Sequence, residues 1–570
     1  MALAVAGPAL LAANDPPSAT FLNQAAALIG WGFMLVLLVP ALRAGRRLRA
    51  PDAGALALLG ALALMALACA ASMVWAGLPA PLGVSALGTI AAAALVASFG
   101  VALPAPDARA AFRALCVALL AGGLLSAGVG IVQVFAPELA DGRLIAATAF
   151  EGRASGNLRQ PNHLSTLLLW ALIATVWLHE AGVMRRPATL AAAAALLFTL
   201  VLTASRTGIL GTVILAAWGL LDRRLSRNVR LVLIGSPLAY WLLWFGISAW
   251  AQGQQQMFAG EARISAEGDI SSSRFAIWSN TLQLIAAHPW WGVGFGEFNF
   301  AWSLTPFPKR PVAFFDHTHN LPLQLLVEMG IPLGGTVFVL LVLALWRAFV
   351  ATRGPDAGRG TMLRAAFMLV LTVGLHSLLE YPLWYAYFLL PAAFAFGLCF
   401  SGSAPAGEQA RAEPAGRPGR RAPTAAACLM LALAVASVVD YRRVAAIFSA
   451  DDAAPLEQRI LDGERSWFFA HHAHYAAATV AEHPSDEMPS FRVAPHYLLD
   501  TRLMIAWANA LNEAGDVERA RHLAARLREF RNDDAKPFFA PCDDEPAAPG
   551  AERPFQCTAP TKALDYRDFR

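Results

Sequence analysis

The chain is a succession of apolar runs separated by short connections that carry arginine. Runs long enough to cross ~30 Å of hydrocarbon fall at 22–42, 53–76, 82–103, 111–135, 163–182, 188–204, 207–222, 229–250, 320–346, 364–380, 382–400 and 423–440. They predict an all-α polytopic membrane protein with about 12 transmembrane helices. The sixth, seventh and last runs are short, so one pair also fits a re-entrant hairpin. Residues 1–13 are apolar, but they are too short to span and lack a basic leader, so they read as the remnant of a helix rather than a signal peptide or full anchor.

Past residue 440 the pattern changes to short amphipathic helices. AWANALNEAGDVERARHLAARLREF has the helix, Gly turn, helix form of a tetratricopeptide-like hairpin, and the last thirty residues read as irregular. The predicted division is therefore an N-terminal segment 1–21, a multi-helix membrane domain 22–401 that includes the outer loop 251–319, a Pro/Gly/Ala-rich cytoplasmic linker 402–421, a last transmembrane helix 422–440, and a helical periplasmic domain 441–570.

Charge fixes the expected orientation, because Arg-rich connections stay cytoplasmic. One alternate set holds Arg43, Arg46, Arg47 and Arg49, then Arg109 and Arg113, Arg185 and Arg186, Arg223 to Arg230, Arg347 to Arg364, and Arg411 to Arg421. The other set then faces outward: the 136–162 connection, the Ser205-Arg206-Thr207 corner, the outer loop, the Glu380 corner and the C-terminal segment, with Arg442 and Arg443 as a mild violation. An outward tail also makes a Cys542–Cys557 disulfide the natural reading of the two cysteines that lie in polar sequence.

Composition narrows the function. Hydrophobic residues make up 57% of 570 and charged residues 15%, at a net charge of +4, which suits a bilayer and gives nucleic-acid binding no basic stripe. The densest polar cluster is in FFDHTHNLPLQLLVEMGIPLGG, where Asp316, His317, His319 and Asn320 stand at the entry of a membrane helix. A histidine there can take a proton from an incoming hydroxyl near neutral pH, or it can simply anchor the helix among headgroups. His-x-His lacks further zinc ligands nearby, so no metal is expected, and no Asp-x-Asp pair exists to cradle a metal–nucleotide-sugar complex.

A donor carrying its own diphosphate needs cations instead, and the outer face offers Arg159 in GNLRQPNH, Arg206 in TASRTG and Arg274 in SSSRFAIW. HSLLEYPLWYAYF places His376 and Glu380 one helical turn apart, before Tyr381. In the outer loop, Phe275, Trp278, Leu282 and Ile285 predict one face of an interfacial helix starting near Ser273, and HPWWGVGFGEF reads as a turn. HHAH at 471–474 reads as a solvated helical face.

Taken in order from about 120 to 400, GNLRQPNHL, TASRTG, SRFAIWSNTLQLIAAHPWWGVGFGEF, HTHNLPLQLLVEMGIPLG and HSLLEYPLWYAYFLLP resemble the bacterial O-antigen ligase and O-oligosaccharyltransferase superfamily. The EYPLWY segment and the outer C-terminal domain resemble its protein-glycosylating, pilin-type members. The resemblance implies a cofactor-free, metal-independent inverting transfer, at the periplasmic face of the inner membrane, from an undecaprenyl-diphosphate-linked glycan to Ser or Thr of an exported protein. It implies His319 as base, with His317 the alternative. Arg159, Arg206 and Arg274 would hold the diphosphate, and Asn320, His376, Glu380 and Tyr381 would shape the pocket. The competing readings are a lipopolysaccharide-core O-antigen ligase, an O-antigen polymerase, and a transporter of lipid-linked sugars, the last disfavoured by the lack of inverted repeats or midspan charges.

Overall fold

The computed structural model describes residues 1–42, 52–253, 274–312, 314–354, 357–402, 421–449, 453–543 and 553–570. Arg43, Arg46, Arg47 and Arg49, nearly all of the 402–421 linker, and 254–273 of the outer loop with its expected helix start lie outside the described residues. Among the described residues the regular structure is helical, and each of the twelve apolar runs coincides with a helix. Among the described residues, eight helices are long and apolar enough to cross a membrane: Phe21–Ala41, Ala53–Trp75, Ala80–Ala102, Ala105–Phe135, Pro161–Glu180, Arg227–Gly253, Leu321–Ala351 and Arg421–Phe448. Arg186–Leu202, Arg206–Leu221 and Ala386–Cys399 are apolar but shorter, and Ala357–His376 completes the set. The protein is a multi-pass membrane protein.

Residues group into two compact units. The first comprises 1–62, 91–267 and 340–438; the second comprises 63–90, 268–339 and 439–570. In the first unit Pro161–Glu180 is the central helix, buried along nearly its whole length. It begins where it does because Pro161 supplies a preset φ at the first turn and Gln160 caps it, accepting the His163 N–H at 2.8 Å. Small residues let neighbours close on it: a Cβ on Gly123 of Ala105–Phe135 would lie 2.4 Å from the Ala171 side chain. The Trp170 indole ties it to Ala357–His376 by donating to the Leu369 carbonyl at 2.9 Å. Residues 2–10 do form a short helix, Ala2–Leu10, whose C-terminal carbonyls of Pro8 and Leu11 accept the buried Asn23 amide at 2.8 and 2.9 Å.

The second unit crosses the boundaries expected from chain order. Its core interleaves the outer loop (Ile277, Leu284, Phe298, Phe300, Trp302) with the C-terminal helices (Leu503, Trp507, Leu523, Leu527, Phe530, Phe569). The hairpin Thr501–Glu513 and Val517–Phe530 is present, with Asp500 and Asp516 as N-caps and Gly515 turning the chain at φ +82°. Arg310 is the polar pin of this core. Its guanidinium meets Glu529 at 3.0 Å, donates to the Trp302 carbonyl at 2.7 Å, and lies 4.8 and 4.6 Å from the Trp302 and Phe530 ring centres. Cys542 and Cys557 are joined as a disulfide.

Two expectations change here. The helix at 274–287 turns Ile277, Leu284 and Ile285 into the core, and Trp278 donates its indole N–H to the Thr318 carbonyl at 2.9 Å. Only Phe275 (66% exposed) and Leu282 (56%) of the proposed interfacial face remain outside. The HHAH segment is not solvated. Helix Ala470–Val480 packs on both Leu456–Glu464 and Thr501–Glu513, so His471 and His472 are buried, with ring centres 4.3 and 4.9 Å from Tyr497. Burial pushes His472 down to about 4 and holds His471 well below its ordinary value, because desolvation disfavours the charged imidazole.

Candidate active site

Three corners share one local design. Arg159 (φ +58°), Ala204 (φ +46°) and His319 (φ +54°) adopt the left-handed backbone that non-glycine residues avoid. Each is followed by a polar capping residue and then the first turn of a helix. Gln160 accepts from His163 N at 2.8 Å, Ser205 from Gly208 N at 3.3 Å, and Asn320 from Leu323 N at 3.1 Å. Non-glycine residues in sparsely populated backbone regions cost of order 1–3 kcal/mol each and persist where the surroundings over-determine them, commonly at functional sites. Among the described residues a fourth, Arg531, merely ends the Val517–Phe530 helix.

The first unit gathers a buried polar chain behind two of these corners. Glu380 Oε1 accepts the Asn162 amide at 3.0 Å, Asn162 Oδ1 accepts the Ser205 hydroxyl at 2.6 Å, and Ser205 and Ser165 hydroxyls are 3.0 Å apart. One turn along, His376 Nδ1 is 2.8 Å from the Thr166 hydroxyl. Helix Ala357–His376 ends at His376, but the Glu380 N–H still bonds to the His376 carbonyl at 2.9 Å. His376 and Glu380 therefore meet Thr166 and Asn162, also four residues apart, as two matched pairs. The His163 ring packs 4.5 Å from Tyr385 and 3.1 Å from the Tyr387 hydroxyl, and Tyr381 stacks on Tyr385 at 6.1 Å.

Arg159 is half-buried. Its guanidinium donates to the Ala19 carbonyl at 3.0 Å and to the Ala12 carbonyl. Arg206 is the first residue of Arg206–Leu221 and is half-buried.

The second unit holds Arg274, His317, His319 and Asn320. Arg274 is the first described residue of the helix at 274–287. His317 Nδ1 is 3.2 Å from the Asp316 carboxylate. Burial works against that carboxylate, but His317 and His319 beside it outweigh the effect and hold it below the usual range. Thr318 between the two histidines is fully buried, and its N–H donates to Gln324 Oε1 at 2.8 Å. Gln324 Nε2 donates in turn to Glu328 Oε1 at 2.9 Å.

The glycine turn closes around the same helix. Val293 N–H bonds to the Val327 carbonyl at 2.8 Å, Gly294 N–H to Glu328 at 3.0 Å, and Ile331 N–H to Pro289 at 2.7 Å, leaving Trp290 and Trp291 73% and 78% exposed.

Sequence reasoning missed Asn162, His163, Ser205, Gln324 and Glu328. Glu328 had a readable signal, since it is the only charged residue in 321–346 and an acid inside an apolar run needs a reason.

Three family profiles match this chain: O-antigen ligase over residues 191–339, virulence factor membrane-bound polymerase (C-terminal) over 364–538, and protein glycosylation ligase over 154–179. Two similar proteins come from Acinetobacter baylyi. A general O-oligosaccharyltransferase is 27% identical over 264 residues, 44% of either chain. A ComP-specific O-oligosaccharyltransferase is 26% identical over 272 residues, 46% of either chain. The matches span somewhat under half the length of these relatives. Motifs, profiles and relatives converge on the O-antigen ligase and protein-glycosylation ligase superfamily, to which the chain is similar.

Proposed function

We propose that this protein is an O-oligosaccharyltransferase of the bacterial inner membrane, with about twelve spans and its reaction at the periplasmic face. It moves an oligosaccharide from undecaprenyl diphosphate to Ser or Thr of exported, pilin-like proteins. The observation that carries the reading is the His317-Thr318-His319 corner, with His319 in a left-handed backbone conformation braced from Thr318. The two O-oligosaccharyltransferase relatives supply the reaction class.

In this reading His319 takes the proton from the acceptor hydroxyl as its oxygen attacks the anomeric carbon. The bond from that carbon to the diphosphate breaks, and the configuration inverts. Undecaprenyl diphosphate departs with the bonding electrons, its charge held by the forked guanidinium groups of Arg159, Arg206 and Arg274. Asp316 orients His317, and the Glu380–Asn162–Ser205 chain sets the corners that carry Arg159 and Arg206. The Cys542–Cys557 disulfide fits an oxidising periplasm.

The test uses O-antigen-deficient cells that make the lipid-linked glycan and a complete lipopolysaccharide core, together with a pilin-like acceptor and this protein or its His319→Ala variant. Glycan on protein Ser or Thr that vanishes in the variant is the expected result. Glycan on the core alone makes the protein a ligase, and lengthened lipid-linked glycan makes it a polymerase.

A further inference from the structure

Thr318 is fixed at every polar atom. Its N–H goes to Gln324 Oε1 at 2.8 Å, its carbonyl accepts the Trp278 indole N–H at 2.9 Å, and its hydroxyl donates to the Asn320 carbonyl at 2.9 Å. The peptide planes on either side of it carry His317 and His319, so holding Thr318 holds both imidazoles.

Gln324 could present either end of its amide to Thr318, and Glu328 decides which. A carboxylate only accepts, so at 2.9 Å it draws the Gln324 NH2 and leaves Oε1 facing the Thr318 N–H. Glu328 is itself held, because main-chain N–H groups of Gly296 and Phe298 point at its carboxylate. The glycine turn, the buried acid, the amide and the histidine corner thus form one directed chain of hydrogen bonds within the second unit.

We propose that Gln324, oriented by Glu328, is a positioning residue that sets His319 for proton abstraction; this rests on the glycosyl-transfer reading above. Neither residue touches substrate. The relay acts on the acceptor half of the reaction, so its loss lowers kcat and leaves donor binding intact. A pair that only stabilised the fold would lower thermal stability and active fraction without this split.

The experiment uses the full chain in nanodiscs with lipid-diphosphate-linked oligosaccharide and a Ser/Thr acceptor protein. Gln324→Ala is expected to lower kcat about 10–100-fold, the cost of misplacing a reacting group by about an ångström, with donor KM unchanged. Glu328→Gln is expected to act likewise, since its NH2 would face an incoming N–H. Gln324→Glu gives a readout that survives any folding defect in the alanine variant. Protonated, a carboxylic acid can donate to Glu328 and accept from Thr318; ionised, it repels Glu328. The other titratable groups facing Glu328 are His317 and Cys69. The pH optimum of Gln324→Glu is therefore expected on the acid side of wild type.

Wild-type kcat in Gln324→Ala, or a Gln324→Glu profile parallel to wild type, overturns the relay while His319→Ala is inactive. Transfer that survives His319→Ala overturns the base assignment, and the relay with it.

Discussion

Replacing Gly330 with alanine tests whether the glycine turn and the helix behind the histidine corner are one interlocked piece. Gly330 sits at φ +72°, ψ +168°, inside Leu321–Ala351, a region of backbone space that only glycine occupies readily. A Cβ there would lie 2.4 Å from the Trp290 carbonyl oxygen and 2.6 Å from its carbon. These are main-chain atoms, held by the Ile331 N–H to Pro289 bond at 2.7 Å, so no side chain can rotate away. Backbone strain of about 1–3 kcal/mol and overpacking of about 1–3 kcal/mol act together. For a unit of this size each kcal/mol moves the midpoint by about 2–4 °C. The expected fall is therefore of order 10 °C, followed by thermal unfolding of the purified protein in nanodiscs. Gly335→Ala is the control, because nothing lies within 4 Å of a Cβ built there. A Gly330→Ala midpoint equal to that control would refute the interlock.

Arg310→Ala leaves Glu529 with Arg526 at 2.8 Å, but it takes the 2.7 Å donor from the buried Trp302 carbonyl and empties the slot between Trp302 and Phe530; a buried polar group left unmet costs about 1–3 kcal/mol, read as an early loss of the second unit's near-ultraviolet signal on heating. Acid should destabilise the same unit. His472 and His522 are held down to about 4 by burial, so below the unfolded value near 6.5 the unfolded chain takes up protons that the fold refuses. Each histidine then forfeits up to about 3 kcal/mol as pH falls from 6.5 to 4, and melting points measured down that range check it, with His522→Gln expected to flatten the curve. Glu380→Ala leaves the buried Asn162 amide without its 3.0 Å acceptor, a cost of about 1–3 kcal/mol, and lowers transfer by loosening the Arg206 corner; Glu380→Gln keeps an acceptor oxygen and should retain most activity in the same assay.

The helices were legible because apolar runs of bilayer length have few other uses, and all twelve runs are helical. The corners were legible too, since Arg159, Arg206 and His319 each stand where a loop meets a helix. Their supports were not. Asn162 meets Glu380 across 218 positions, and His496 meets Glu297 at 2.8 Å across 199, and helical periodicity says nothing about which distant segment a face will find. The same ignorance explains HHAH. Spacing placed the histidines on one face of a helix, but only the packing of Leu456–Glu464 and Thr501–Glu513 against that helix turned the face inward. For the 274–287 helix the periodicity was sound, yet Ile285 and Trp278 found protein partners and left only Phe275 and Leu282 outside.

The shared core of the outer loop and the C-terminal helices bears on how this chain could be recombined with its relatives. Grafting the tail of a relative onto this chain would set foreign residues against Phe298, Phe300 and Trp302, whose present neighbours are Trp507, Phe530 and Phe569. Arg310 would also lose Glu529, and Glu297 would lose His496. Functional chimeras should therefore require residues 268–339 to travel with 439–570 as one cassette, and substitutions on one side of that seam should drift in step with those on the other.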